Sequence, residues 1–119
     1  VLVDPPFEAT DEFDRMLKGL REAYKRWPTG IYILWYPVKD TAPVADFHRV
    51  LSGEGIPKII AAEFSLSPQG FTEKLNGCGM IIVNPPWMLR EHLEAIGPWL
   101  AGAISESARC TIKEIAGEL

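Results

Sequence analysis

Val1-Leu2-Val3-Asp4-Pro5-Pro6-Phe7 opens the chain. Its three apolar residues, two of them β-branched, read as the end of a buried strand. Asp-Pro-Pro then stops the strand, because each proline fixes φ and removes a backbone donor. A helix follows. Thr10 or Asp11 suits its N-cap, and Asp11, Glu12 and Asp14 favour its N-terminal dipole. The stripe Phe13, Met16, Leu17, Leu20, Tyr24, Trp27 has helical spacing, and Pro28 and Gly30 end it. The same alternation continues outward. Ile31–Tyr36 is a continuous apolar and aromatic run, suited to a strand covered on both faces and ended by Pro37. Asp40 or Thr41 suits the cap of a second helix carrying Val44, Phe47, Val50 and Leu51, which Gly53 and Gly55 end. Lys58–Leu66 and Met80–Val83 read as strands, joined through the polar, turn-rich Ser67–Gly77. Leu89, Leu93 and Ile96 mark a third helix, and Pro98 starts a further turn with Trp99, Leu100 and Ile104. Thr111–Ile115 offers a last short strand.

The order β-α-β-α-β-β-α argues for an α/β sheet with right-handed crossovers. The two late strands, joined without a helix, are expected to be antiparallel neighbours. The expected sheet is therefore mostly parallel with a final antiparallel hairpin. By fold-level analogy, that is the C-terminal half of a Rossmann-like class I S-adenosylmethionine-dependent methyltransferase sheet. A strand at the first residue leads us to expect residues 1–119 to be the C-terminal part of one such domain, with the cofactor-binding half upstream and absent.

Composition narrows the class. The chain has 119 residues, 47% hydrophobic and 24% charged, with net charge −4. That profile fits one soluble globular domain and excludes disorder. No apolar run approaches the roughly 20 residues that span a bilayer. A pI of about 5.1 argues against a general nucleic-acid coat protein, although not against a basic strip on one face. Two cysteines, Cys78 and Cys110, are too few for a disulfide framework or a zinc site and are expected to be small buried side chains. Nothing at the N-terminus signals export, so a reducing, cytoplasmic location is expected.

Asp4-Pro5-Pro6-Phe7 carries the chemistry. It has the form of the [Asp/Asn]-Pro-Pro-[Phe/Tyr/Trp] tetrapeptide of amino-methyltransferases. An exocyclic amine on adenine is a poor nucleophile because its lone pair is delocalised into the ring. The Asp4 side chain and the Pro5 carbonyl can accept hydrogen bonds from both amino hydrogens and stabilise the positive charge that develops. The prolines aim that carbonyl rigidly outward, and Phe7 offers a stacking face for a flipped base. A simple strand-ending turn is the plainer reading. Asn84-Pro85-Pro86-Trp87 repeats the form later in the chain. Three candidate strands follow Asp4 and at most one weak one follows Asn84. Catalysis is therefore assigned to the first copy, and the second is read as a rigid strand exit whose Trp87 packs in the core or at a rim.

In order, Val-Leu-Val-Asp-Pro-Pro-Phe, Gly30-Ile31-Tyr32-Ile33-Leu34-Trp35-Tyr36-Pro37-Val38-Lys39, Gly79-Met80-Ile81-Ile82-Val83-Asn84-Pro85-Pro86-Trp87 and Pro98-Trp99-Leu100 run over nearly the whole chain. Together they resemble the bacterial large-subunit ribosomal RNA adenine-N6 methyltransferase J family, which older annotation describes as involved in the catabolism of external DNA. The resemblance implies an S-adenosylmethionine-dependent enzyme acting on ribosomal RNA, with Asp4, Pro5, Pro6 and Phe7 as its catalytic turn and Asp4 also touching the cofactor. Family members more often carry Tyr where Phe7 stands. No glycine-containing cofactor loop precedes Asp4, so the main cofactor pocket is expected to be absent from this chain.

Trp35, Tyr36 and Lys39 lie where α/β sheets place ligands and are candidates for substrate binding, although core packing also explains Trp35 or Tyr36. Arg15, Lys18, Arg21, Lys25 and Arg26 line the first helix, as a phosphate-facing strip or as a solvated face with acidic partners. His48 and His92 lack metal-ligand spacing and are expected at the surface or its boundary; no metal is expected. The exposed first strand invites pairing with a second copy. Two competing readings are a non-catalytic nucleic-acid- or protein-binding module and an adenine-N6 methyltransferase acting on DNA.

Overall fold

The computed structural model describes residues 1–5, 11–39, 41–66 and 77–117. Along them run β1 (Leu2–Val3), α1 (Glu12–Arg26), β2 (Tyr32–Val38), α2 (Thr41–Ser52), β3 (Ile59–Ser65), β4 (Gly77–Val83), α3 (Leu89–Ile104) and β5 (Arg109–Ala116). The strands form one sheet in the order β1-β2-β4-β3-β5.

The α/β alternation holds, but the ladder senses correct the expected mostly parallel sheet. Only β1 and β2 pair in parallel; β2–β4, β3–β4 and β3–β5 are all antiparallel. The sheet is mixed and mostly antiparallel. The reason is where the hairpin goes. β4 folds back from β3 and slots between β2 and β3, so two antiparallel ladders replace the parallel contact those two strands would have made. The weakly patterned tail adds β5 as a third. β1, β2 and β3 still point the same way.

Side chains alternate across β2. Tyr32, Leu34 and Tyr36 join Met16, Leu17, Leu20, Val44, Phe47 and Leu51 in a core beneath α1 and α2. The opposite face buries Ile60, Ala62 and Ile82, with α3 packed over β5 and β3. Gly97 lets α3 approach so closely that a Cβ there would lie 2.3 Å from Cys110 Sγ. This second face is not fully covered towards β2, where Trp35 is half-buried and Met80 is exposed. The expectation of a strand covered on both faces therefore holds for one face only. Both cysteines are half-buried rather than buried.

Two prolines sit inside elements they were expected to bound. Pro37 pairs with Cys78 within β2. Ile33 donates its N–H to Val1, so by the two-residue period position 37 also faces the β1 side, where β1 has ended and no donor is needed. Pro98 lies within an unbroken α3, at an exposed position, and removes only the hydrogen bond to the Glu94 carbonyl. At the start of α1 the N-cap is Asp11, whose side chain makes no cap bond and instead accepts from Arg15 Nε at 3.2 Å. Thr10, Asp40 and residues 67–76 lie outside the described residues.

Candidate functional site

β1 and β2 run in parallel with Val3 opposite Leu34, so Asp4 and Pro5 leave β1 at the end of the pair from which β2 continues through Trp35 and Tyr36. Asp4 is exposed and Pro5 half-buried; Pro6 and Phe7 lie outside the described residues. No hydrogen bond or ion pair to another described residue engages the Asp4 carboxylate. Trp35 is half-buried on the face away from α1 and α2, and Lys39 is exposed just past the end of β2. Asp4, Pro5, Trp35 and Lys39 thus share the carboxyl edge of the parallel pair, the edge at which α/β sheets bind ligands.

Tyr36 does not face that edge. It is fully buried. Its hydroxyl donates to Glu63 Oε2 at 2.5 Å and lies 3.0 Å from His48 Nε2, which is 3.4 Å from Glu63. Its ring stands edge-on to Phe47 and His48 and near Phe13. Across the ladder only glycine fits, since a Cβ on Gly79 would come within 2.3 Å of Tyr36 Cζ. The geometry gives Tyr36 a packing role. His48, expected at the surface or its boundary, is buried as part of the same cluster, because its ring is the only partner α2 offers the Tyr36 hydroxyl among the described residues. Glu63 escaped the sequence reading; its one signal was a charged residue interrupting the apolar run of β3.

Burial pushes the His48 pKa down, Lys113 adds to this and Glu63 opposes it. Burial, reinforced by Glu63, likewise holds the Tyr36 hydroxyl protonated. All donors are satisfied with His48 neutral and Nε2 carrying its proton. In the unfolded chain His48 returns to about 6.5 and takes up a proton more readily than in the folded one. Stability is therefore expected to fall as pH drops below that value. Between pH 7.5 and 5.5 the wild-type Tm should fall further than that of His48→Gln. Equal falls would exclude His48 as the source.

The second tetrapeptide sits at the other end of the sheet. β4 is antiparallel to β2 and Val83 pairs with Tyr32, so Asn84 emerges at the edge where β2 begins. Asn84 Nδ2 donates to the Pro28 and Gly30 carbonyls at 2.9 and 2.8 Å, and its backbone N–H donates to Lys58 at 2.9 Å. Its φ of +55° is one that asparagine tolerates better than most residues. Asn84 thus ties the α1–β2 loop to the start of β3. Trp87 departs from expectation: it is 92% exposed rather than packed in the core or at a rim. The left-handed Met88, φ +69°, turns the chain into α3 directly after Trp87.

The basic strip on α1 is largely neutralised. Arg15 pairs with Asp11 and Glu12, Lys25 with Glu22, and Arg21 makes a two-pronged bond to Glu54. The solvated-face reading fits these contacts.

The profile of the family described as ribosomal RNA large subunit methyltransferase D, RlmJ, matches residues 1–114. The chain belongs to the RlmJ family. It is 37% identical over 100 residues to Ribosomal RNA large subunit methyltransferase J of Escherichia coli, and equally so to that of Haemophilus influenzae. Each alignment takes in 84% of this chain and 36% of the relative, so the chain spans about a third of their length. The crystal structure of protein LPL1258 from Legionella pneumophila, assigned to family DUF519, matches with a TM-score of 0.85 at 27% identity. That match covers 95% of this chain and 42% of the other.

A methyltransferase of the RlmJ family implies a methyl donor and a cradle for it. The tight spaces at the described glycines are already filled: Trp27 lies against Gly30, Tyr36 against Gly79 and Cys110 against Gly97, and Gly77 abuts the Phe64 carbonyl. The grooves between α1 and α2, between α2 and β5, and around Trp87 include none of Asp4, Pro5, Trp35 or Lys39. None of these three grooves joins Asp4 to a cradle for S-adenosylmethionine. No helix among the described residues is long and apolar enough to cross a membrane.

Proposed function

We propose that this chain carries the amine-binding turn of an S-adenosylmethionine-dependent methyltransferase acting on the N6 amino group of an adenine in large-subunit ribosomal RNA, in the cytoplasm. The chain is then the C-terminal part of that enzyme's catalytic domain, and the donor pocket belongs to the remainder. Family membership supports the reaction class. The observation that carries the site is the placement of Asp4 and Pro5 at the carboxyl edge of the parallel β1–β2 pair, with the rival tetrapeptide at the opposite edge.

The chain's own groups have a defined task there. The Asp4 carboxylate accepts a hydrogen bond from one amino N–H of the adenine and the Pro5 carbonyl accepts one from the other. Two acceptors on one nitrogen draw it towards a tetrahedral shape and return its lone pair from the ring. They also meet positive charge as it forms, which is worth more in a water-excluded site than in bulk solvent. In this reading Trp35 contacts the base and Lys39 a flanking phosphate. Phe7 supplies the stacking face.

Tritium transfer from labelled S-adenosylmethionine to unmodified ribosomal RNA tests this. The full-length protein should transfer label to an adenine of the large-subunit RNA. The 119-residue chain alone should transfer none, and calorimetry should detect no micromolar cofactor binding to it. Label appearing on the small-subunit RNA, or micromolar binding by the isolated chain, would overturn the assignment.

A further inference from the structure

The β1–β2 ladder stops after two residue pairs although β2 runs on for four more residues. The hydrogen-bond pattern gives the reason. In this parallel pair Ile33 donates its N–H to the Val1 carbonyl at 2.7 Å. With a two-residue period, the register sets the N–H of residue 35 against the carbonyl of Val3, and the nitrogen of residue 37 against the carbonyl of Pro5. Residue 37 is proline and has no hydrogen to give. On the β1 side, the strand bond to residue 35's carbonyl would need the N–H of residue 5, which is also proline. Two prolines, Pro37 within β2 and Pro5 just past the end of β1, thus end the ladder at the turn that bears Asp4.

We infer that Pro37 is a positioning residue of the methyl-transfer site: by withholding an N–H, it leaves the Pro5 carbonyl outside the sheet and available to the substrate amine. This rests on the function proposed above. A non-proline residue at 37 would supply a donor that the register sets against that carbonyl. Bonding to it would turn the carbonyl into the sheet and extend β1. Substrate would then lose one of its two amine acceptors, while the protein would gain a strand hydrogen bond. Pro37 is buried within a regular ladder opposite Cys78, and valine, of similar volume, fills the same place, whereas alanine leaves a gap of about two methylenes.

The consequence is a substitution that harms catalysis without harming the fold. Pro37→Val and Pro37→Ala should be made in the full-length protein. Both should keep Tm within a few degrees of wild type or above it. Both should lower kcat about tenfold or more, with the KM for S-adenosylmethionine unchanged, since one such hydrogen-bonding group commonly carries 10²–10³ in rate. Amide hydrogen exchange at residue 37 should be slow, reporting the new bond. Wild-type kcat in both variants would overturn the inference. So would fast exchange at residue 37, or a drop in Tm with turnover per folded molecule unchanged, which would leave Pro37 a packing residue. Asp4→Ala separates the two levels. If it abolishes transfer while the Pro37 variants remain fully active, only the role of Pro37 fails. If Asp4→Ala is itself active, the proposed site and the role of Pro37 fail together.

Discussion

Replacing Asp4 with alanine in the full-length protein is expected to reduce methyl transfer by about 10²–10³-fold, the range typical of a single group aimed at charge that appears only in the transition state. Cofactor affinity should be nearly unchanged, because the donor's cradle lies elsewhere. Stability should be unchanged too, since Asp4 is exposed and bonds to no other described residue. The loss should therefore fall on kcat rather than on Tm or on the S-adenosylmethionine Kd. Steady-state kinetics with saturating cofactor and RNA, alongside a thermal melt, checks this. Activity above about a tenth of wild type would remove Asp4 from the catalytic role.

Asn84→Ala should do the reverse. The amide of Asn84 makes two hydrogen bonds that close the α1–β2 loop. Each contributes about 0.5–1.5 kcal/mol, and removing the amide leaves the Pro28 and Gly30 carbonyls without that partner. Alanine at a positive φ adds about 1 kcal/mol of strain. Together these make a loss of about 2–4 kcal/mol, a large fraction of a marginal stability. Asn84→Gly, which loses the hydrogen bonds but not the backbone conformation, should recover about 1 kcal/mol of that. Denaturant melts give both differences, and turnover per folded molecule should stay at wild type. A well-folded but inactive Asn84→Ala beside an active Asp4→Ala would reverse the roles of the two tetrapeptides.

Much of this protein is legible locally. Helical stripes and apolar runs place most elements of the described sheet, because an amphipathic period is a property of neighbouring residues, whereas β5 is only weakly patterned. The chemistry of Asp4-Pro5 is equally local, since the residue types and their order define the acceptors. Tyr36 marks where that reading stops. At the end of a strand beside Trp35 it looks like a pocket residue, yet its hydroxyl points at Glu63 and His48, which come from other elements. No spacing within the sequence links residues 36, 48 and 63. The burial of His48 is hidden from the sequence for the same reason: a lone histidine on a helix carries no sign of the tyrosine that buries it.

The amino-acid sequence by itself determined the α/β alternation and the two Pro-Pro turns, because each follows from backbone constraints within a few residues. Only the tertiary structure decided the ladder senses and which edge each turn occupies. Those depend on β4 inserting between β2 and β3, a choice among long-range pairings that share one hydrophobic pattern. That insertion sends Asn84 to the edge opposite Asp4 and so separates two tetrapeptides that are nearly indistinguishable as sequence.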